Sequence, residues 1–452
     1  MANFFKASDK RPTKAKIKSN VVINIDKLDM NGCGVGNYQN KAIFIDGCLP
    51  LEKVEARLVE QKNKFYRAKL IKVNVASSKR VRVQCQHFSL CGGCDLQHLD
   101  YEEQLVFKQQ KVTELLSRSG IDNNVISQLP WQEPIVSQPW HYRRKARIGV
   151  QFDKKSQATI GFRQKATNQL VSIKSCSTLI KPLSDIFPIL QTLIAKLSVK
   201  KAIGHIEVIG TQGQHSEQVL TLVVRQLRAL SEQDRVLWLA CAQQHQWQVV
   251  FDLGKNNVEQ LTDHQALTYT LIDDIDIAFV SDDFIQVNQD VNKNMIEQAI
   301  NWLALESSDR LLDLFCGLGN FSLPIAKRVE QVVGVEGVQT MVDKAKTNAA
   351  KNQLGNCQFY QADLNSAWLE QSWAKNNFTK VLLDPARAGA QLVVSQLAKL
   401  AIGTILYVSC DPATLARDSQ ILLTQGYKIE KIALIDMFSQ TKHVETMILF
   451  SK

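Results

Sequence analysis

Near the start of the chain, hydrophobic and polar positions alternate over short runs: VVINIDKL (21–28), KAIFIDG (41–47), EKVEARLVEQ (52–61) and FYRAKLIKVNV (65–75). A period of two is the pattern of a half-buried strand. Stretches such as NGCGVGN and DGCLPLE separate the runs and read as turns. Four or five short strands in about 60 residues predict a small OB-like β-barrel over 19–78. The spacing then changes. YEEQLVFKQQKVTELLSRSG (101–120) has the three-to-four-residue period of an amphipathic helix and stops at Gly120. Alternation returns through Arg147, Ile148, Gly149 and Val150, and residues 158–280 form a β-rich stretch (ATIGFRQ, GHIEVIG, VLTLVVRQ, WQVVFDLG, DIAFVSD) without a catalytic signature. From 291 onward helical and strand patterns take turns: VNKNMIEQAINWLAL, RLLDLF, FSLPIAKRV, VVGVEG, QTMVDKAKTNAAKN, CQFYQAD, KVLLDPA, GTILYVS and a closing pair. This alternation predicts an α/β fold, a Rossmann-like doubly wound sheet over 281–452. Such sheets bind ligands beyond the carboxyl ends of their strands.

Composition adds domain count and compartment. A chain of 452 residues, 45% hydrophobic and 22% charged, suits two or three globular domains. No apolar run approaches the ~18 residues of a membrane span. The opening MANFFKASDKRPTKAK has no apolar core, so it does not read as a secretory signal. A cytoplasmic protein with no membrane association is expected. Ten cysteines in that setting suggest metal ligation or catalysis before disulfides.

Charge adds a partner. The first 82 residues hold 18 Lys/Arg against 7 Asp/Glu, and the rest hold 36 against 37. The entire excess of +10 therefore lies ahead of a near-neutral body, as a handle for a polyanion. Residues 1–18 alone would pass for a solubilising basic tail. The barrel interleaves Lys64, Phe65, Tyr66, Arg67 and Lys69, a mixture suited to stacking on bases and pairing with phosphates of single-stranded RNA. In PWHYRRKARIGVQFD, Arg143, Arg144, Lys145 and Arg147 sit beside two aromatics. RNA contact and a solvated strand face fit that pattern equally.

Cysteine spacing marks a second chemistry. Cys85, Cys91 and Cys94 follow C-x5-C-x2-C. The nearest fourth thiol downstream is Cys176 in VSIKSCSTL. A triplet with one distant partner suits an iron–sulfur cluster better than zinc, whose ligands usually come as two close pairs. The region 79–280 therefore reads as a β-rich central iron–sulfur domain.

Three strand ends of the C-terminal sheet carry ligand chemistry. DLFCGLGNFSLP (313–324) places Gly317 and Gly319 where a backbone can approach a ligand, with Ser322 where a dinucleotide fingerprint has its third glycine. Glu336 ends VVGVE and suits paired ribose hydroxyls. Asp363 in QADL is placed for an adenine amine. In this order the three look like the S-adenosylmethionine set of class I methyltransferases. Two further ends bear on the reaction: LLDPARAG (382–389), with Asp384 and Arg387, and YVSCDPATLARD (407–418), with Cys410 ahead of a helix. A helix N-terminus favours a thiolate, and a thiolate added to carbon 6 of uracil makes carbon 5 nucleophilic towards a methyl donor. A base must later remove the carbon-5 proton, and Glu445 and His443 in MFSQTKHVETMILF are both candidates.

DLFCGLGNFSLP, LLDPARAG, YVSCDPATLARD and DMFSQTKHVE together resemble the bacterial RNA uracil-5-methyltransferases, over nearly the whole chain. The resemblance implies Cys410 as nucleophile and Glu445 as proton acceptor. It implies S-adenosylmethionine contacts from Gln286, Phe315, Asn320, Glu336, Asp363 and Asp384, with Phe284 and Gln286 near a flipped base. It also implies a [4Fe–4S] cluster on Cys85, Cys91, Cys94 and Cys176, a TRAM identity for the barrel, and residues 97–130 packing on the catalytic domain. Barrel and cluster together are similar to the family's branch acting on 23S rRNA at uridine 1939, a monomer without an obligate protein partner. Cytosine-5 methylation shares the covalent logic, and a non-catalytic RNA-binding iron–sulfur protein is the alternative from another class. Where the family usually has Cys-Asn-Pro, this chain has Cys410-Asp411-Pro412. A carboxylate beside the thiol is expected to disfavour the thiolate.

Overall fold

The computed structural model describes residues 19–212, 218–254, 257–263, 265–400 and 402–452. The basic tail expected over 1–18 lies outside them. The chain separates into two compact units, Met1–Val83 with Asp95–Glu103, and Gln84–Cys94 with Gln104–Lys452. The cysteine triplet thus falls in the larger unit, together with both β-rich regions that follow it.

In the smaller unit, strands Asn20–Leu28, Gly34–Tyr38, Lys41–Ile45, Lys53–Gln61 and Phe65–Val75 close into a barrel. Val21, Ile23 and Ile25 point inward and Asn20, Val22, Asn24 and Asp26 outward, the alternation a small closed barrel requires. The second strand falls in NGCGVGN, which the sequence pattern assigns to a turn. Its glycines serve close packing: a Cβ at Gly36 would lie 2.3 Å from the Asn24 carbonyl oxygen.

The larger unit holds two seven-stranded sheets. The first runs Asn257–Gln260, Trp247–Gly254, Gln218–Gln226, Ile203–Gln212, Lys145–Phe152, Ala158–Arg163, Leu170–Ser172. Helices Ile186–Lys196 and Glu232–His245 share its core through Phe187, Leu190 and Trp238. The sequence pattern shows only the strands here.

The second sheet runs Cys357–Gln361, Gln331–Glu336, Arg310–Leu314, Lys380–Leu383, Thr404–Ser409, Glu445–Ser451, Lys428–Ile435. The first five strands are parallel, and Glu445–Ser451 runs antiparallel to both its neighbours. The sheet is the predicted doubly wound one, closed by a reversed strand. That reversal matters for the site. It brings the start of Glu445–Ser451 to the same rim as the ends of Lys380–Leu383 and Thr404–Ser409, with Ser409 opposite Thr446.

Within the larger unit, segments between residues 104 and 135 attach to this sheet. Helix Tyr101–Arg118 buries Gln104, Leu105, Phe107, Lys108, Val112 and Leu116, an i, i+4 stripe that includes two polar residues. Trp131 and Ile135 then bridge in parallel to Ile432 and Ile435 at the sheet's edge. Among the described residues no helix is long and apolar enough to cross a membrane.

Candidate active site

Along the rim, strand Arg310–Leu314 leads into a tightly wound turn. Phe315 takes φ +68°, Gly317 φ +54° and Gly319 φ +94°. A phenylalanine in the left-handed region is uncommon, and such residues gather at functional sites. The Phe315 and Cys316 N–H groups both donate to the Val335 carbonyl, at 2.8 and 3.1 Å, which holds the turn against the next strand. A Cβ on Gly317 would meet nothing within 4 Å, so the space before it is open.

Glu336, half-buried at the end of that next strand, accepts from Gly317 N–H at 3.2 Å through Oε2. Its Oε1 accepts from Gly337 and Val338 N–H at 2.8 and 3.2 Å. Asp363 stands nearby, because Ala362 N–H donates to the Glu336 carbonyl at 3.1 Å. Its side chain is exposed and caps its own turn through Asn365 N–H. Asn320 forms a reciprocal amide pair with Asn292, 2.9 Å in each direction. Gln286 is 9% exposed, and its Oε1 has no hydrogen-bond partner. Phe284, two residues earlier, is 70% exposed.

Ser322, where a dinucleotide fingerprint would have glycine, has a function of its own. Its hydroxyl donates to Asp313 Oδ2 at 2.5 Å and ties the short helix Ser322–Ala326 to the first strand. Asp313 Oδ1 is buried without a partner. Burial pushes the Asp313 carboxyl up to about 7, with Asp384 and Glu336 adding to the rise and Ser322 opposing it.

Cys410, Asp384 and Glu445 meet where the three neighbouring strands end. Burial pushes the Cys410 thiol up to about 11, and the charges of Glu445 and Asp384 add to that. The exposed Arg387 opposes them. Burial lifts Asp384 to about 7. Glu445, 6% exposed, is lifted to about 8 by burial, Asp384 and Asp436, with Lys108 opposing. The expected lowering of the thiol by the helix dipole is outweighed by this acidic, desolvated surrounding. Asp411 has a structural task of its own. Its Oδ1 caps helix Pro412–Thr424, accepting from Ala413 and Thr414 N–H at 2.9 and 3.2 Å. His443 is exposed and packs edge-on near Phe438, whereas Glu445 is buried and bears directly on the thiol.

Several site neighbours escape the sequence patterns. Arg144 is buried, donating through Nε to the Gln286 carbonyl at 3.0 Å and through Nη1 to Gln289 at 3.2 Å, with its guanidinium 4.4 Å from the Tyr269 ring centre. Lys145 donates to the carbonyls of Ser281 and Asp283. Only Arg147 of the basic run is fully exposed. Lys145 and Arg147 share the open face of strand Lys145–Phe152, with Ala146 and Ile148 buried behind them, whereas Arg144, just ahead of the strand, is spent inside the fold.

The four cysteines of the expected cluster belong to a stretch of the chain that precedes the catalytic sheet. Cys91 and Cys94 are buried, and Cys85 and Cys176 half-buried. The loop carrying the triplet is fixed by Gly92 N–H to the Arg163 carbonyl, Lys165 N–H to the Leu90 carbonyl, and Lys174 N–H to His87 Nε2. Burial raises the Cys91 thiol, and Cys176 and Cys85 raise it further. The thiols are thus within electrostatic reach of one another. Among the described residues, no three His, Cys, Asp or Glu side chains are gathered closely enough to form a ligand set.

A family profile described as tRNA (Uracil-5-)-methyltransferase matches residues 100–452. The chain belongs to that family. This family member is 57% identical to a 23S rRNA (uracil(1939)-C(5))-methyltransferase of Colwellia psychrerythraea, over all of this chain and 99% of the relative. It is 44% identical to the enzyme of the same name from Psychromonas ingrahamii, with both chains fully covered. The fold of this uracil-5-methyltransferase family member matches the crystal structure of Pyrococcus abyssi tRNA (uracil-54, C5)-methyltransferase in complex with S-adenosyl-L-homocysteine. The TM-score is 0.73 at 24% identity, covering 95% of this chain and 100% of the other.

Proposed function

We propose that this family member transfers a methyl group from S-adenosylmethionine to carbon 5 of a uracil in 23S rRNA, the base its relatives' names number 1939. The observation that carries this reading is the meeting of Cys410, Asp384 and Glu445 at one rim of the sheet, whose neighbouring strand Arg310–Leu314 leads into the open turn at Gly317. The turn and Glu336 would hold the donor's ribose, with Asp363 at its adenine. Gln286, Phe315, Asn320 and Asp384 would line the rest. Phe284 would stack on the flipped base.

The chemistry runs in three steps. The Cys410 thiolate adds to carbon 6, and the pair of the C5–C6 double bond moves into the ring as an enolate. Carbon 5 then attacks the donor's methyl, releasing S-adenosylhomocysteine. Glu445 finally takes the carbon-5 proton. The pair of that C–H bond re-forms the double bond, and the C6–S bond breaks with its electrons returning to sulfur. An acidic pocket suits a thiol that becomes reactive only once the base displaces water and the donor's positive charge arrives.

Cys85, Cys91, Cys94 and Cys176 have the donor chemistry of a [4Fe–4S] cluster, and Cys176 and Cys85 act on the Cys91 thiol. Iron–thiolate bonds would cross-link the 85–94 loop to the Cys176 segment. The barrel, over 19–78, is read as the TRAM module, with Lys64, Phe65, Tyr66 and Arg67 towards RNA. Domain limits follow at 79–280 and 281–452, in a cytoplasmic monomer.

The test is nucleoside mapping of 23S rRNA from a strain lacking the gene, with methylation of that rRNA by purified protein. Loss of one 5-methyluridine and its restoration in vitro are expected. Unchanged 5-methyluridine, or a 5-methylcytidine product, would overturn the reading.

A further inference from the structure

Lys108 is 0% exposed. Its ammonium donates to Asp436 Oδ1 at 2.5 Å and to the Phe438 carbonyl at 3.1 Å. The other oxygen of Asp436 accepts from Ser439 Oγ at 2.6 Å. One helical turn before Lys108, Gln104 Nε2 donates to Gln440 Oε1 at 3.1 Å, and its own Oε1 accepts from Gln440 N–H at 3.2 Å. Lys111 Nζ, one turn later, donates to the Lys442 carbonyl at 3.0 Å. One face of helix Tyr101–Arg118 therefore grips the 436–442 loop residue by residue. Gln440 is held at φ +68° within it.

This loop is the connection that delivers Glu445. Ile435, the last residue of its strand, is the direct register partner of Glu445, and Asp436 follows at once. A buried ion pair is a poor stability device, since desolvation of both charges can exceed their attraction. An apolar pair would close the same gap. A lysine and an aspartate in full burial, beside a carboxylate that must change protonation state, suggest a task in the chemistry.

We propose that the Lys108–Asp436 pair is a positioning pair for Glu445, and that its two opposite charges set the step in which that carboxylate takes the carbon-5 proton. The inference rests on the uracil-5-methylation reading above. The charged groups acting on Glu445 are Asp384 from a central strand end, Lys108 from the helix and Asp436 from the loop, and Glu445 in turn acts on Cys410; Lys442 and His443 precede it on the same segment. In the covalent adduct Cys410 is bonded to carbon 6 and cannot titrate. The pH dependence of adduct breakdown then reports the base.

Lys108 opposes and Asp436 promotes protonation of Glu445, so removing each charge should act with opposite sign. The experiment follows breakdown of the methylated adduct between enzyme and an rRNA fragment, against pH, in wild type, Lys108→Met, Asp436→Asn and the double variant. In Lys108→Met the midpoint is expected to rise by a pH unit or more, with adduct accumulating at pH 7.5. In Asp436→Asn it falls, and in the double variant it returns towards wild type. Midpoints that stay put, or move the same way in both single variants, overturn the proposal, as does a uniform slowing at every pH. If Lys108→Met does not fold, the fall in Asp436→Asn and the double variant decide alone. If wild type forms no adduct and no 5-methyluridine, the function reading fails instead.

Discussion

The backbone N–H of Gly317 donates to Oε2 of Glu336 across 3.2 Å, so the glycine-rich turn and the acidic end of the next strand are fastened at their shared rim. Glu336 therefore orders the turn and offers its remaining lone pairs outward. Glu336→Gln keeps an acceptor for Gly337 N–H but loses the charge that suits two ribose hydroxyls. A charged hydrogen bond is worth about 1.5–3 kcal/mol, so calorimetry should show S-adenosylhomocysteine binding about 10-fold weaker or more, with the fold intact. Unchanged affinity would remove Glu336 from the donor site.

Asp411 gives a signed prediction. Its carboxylate caps a helix, and the charges acting on Cys410 are those of Glu445 and Asp384. Asparagine caps about as well as aspartate, whereas alanine costs roughly 1 kcal/mol. Asp411→Asn should leave both melting temperature and methylation rate within about twofold of wild type. Asp411→Ala should lower stability by about that cap energy. A large gain in rate for Asp411→Asn would show that Asp411 suppresses the thiolate after all.

The barrel, the order of the catalytic elements and the candidates Glu336, Asp363 and Cys410 are legible in the sequence because each rests on local pattern: a period of two, a helix–strand alternation, or a polar residue ending an apolar run; Gln286, Phe315, Asn320 and the choice of Glu445 over His443 rest on the family resemblance alone. What is not legible depends on partners far along the chain. Lys108 lies on an amphipathic helix where a lysine reads as solvent-facing, and only Asp436, 328 positions later, explains its burial. Arg144 is hidden in the same way among basic neighbours. Gly34 and Gly36 read as a turn because glycines break the apolar alternation, whereas in the fold they give room to Ile25, Cys48 and the Asn24 carbonyl. Helix Glu232–His245 buries only Asp234, Trp238 and Ala242, too narrow a stripe to stand out between strands.

The cysteine set makes a prediction with a readout apart from catalysis. Cys176 is the one member outside the tight triplet, and Ser184 Oγ accepts from its N–H at 2.9 Å, so the backbone there is fixed independently of any metal. Anaerobically purified wild type should contain about four irons per chain, as a [4Fe–4S] centre requires. Cys176→Ala should lose most of the iron and the visible thiolate-to-iron absorption. Full iron retention in Cys176→Ala would exclude it as a ligand.

Three acids in the catalytic sheet predict how stability varies with pH. Asp313 and Asp384 are held near 7 and Glu445 near 8, each raised by burial. Unfolded, they titrate near 4. Between those values the folded chain binds more protons than the unfolded one, so stability falls as pH rises from about 5 to 8. His87 and His205, lowered by burial, act in the opposite sense, but only below about 6.5. The clean window is therefore pH 6.5–8. Asp313→Asn removes one ionisation while keeping an oxygen for the Ser322 hydroxyl to donate to, and it spares the reacting groups. Its melting temperature should fall less than that of wild type across this window, by a few degrees, since about 1 kcal/mol moves Tm by roughly 2–4 °C in a large domain. Ser322→Ala should do the reverse at pH 8, because the ionised Asp313 then loses its donor. If Asp313→Asn and wild type show parallel pH dependences, Asp313 does not titrate between pH 6.5 and 8 and its placement near 7 fails.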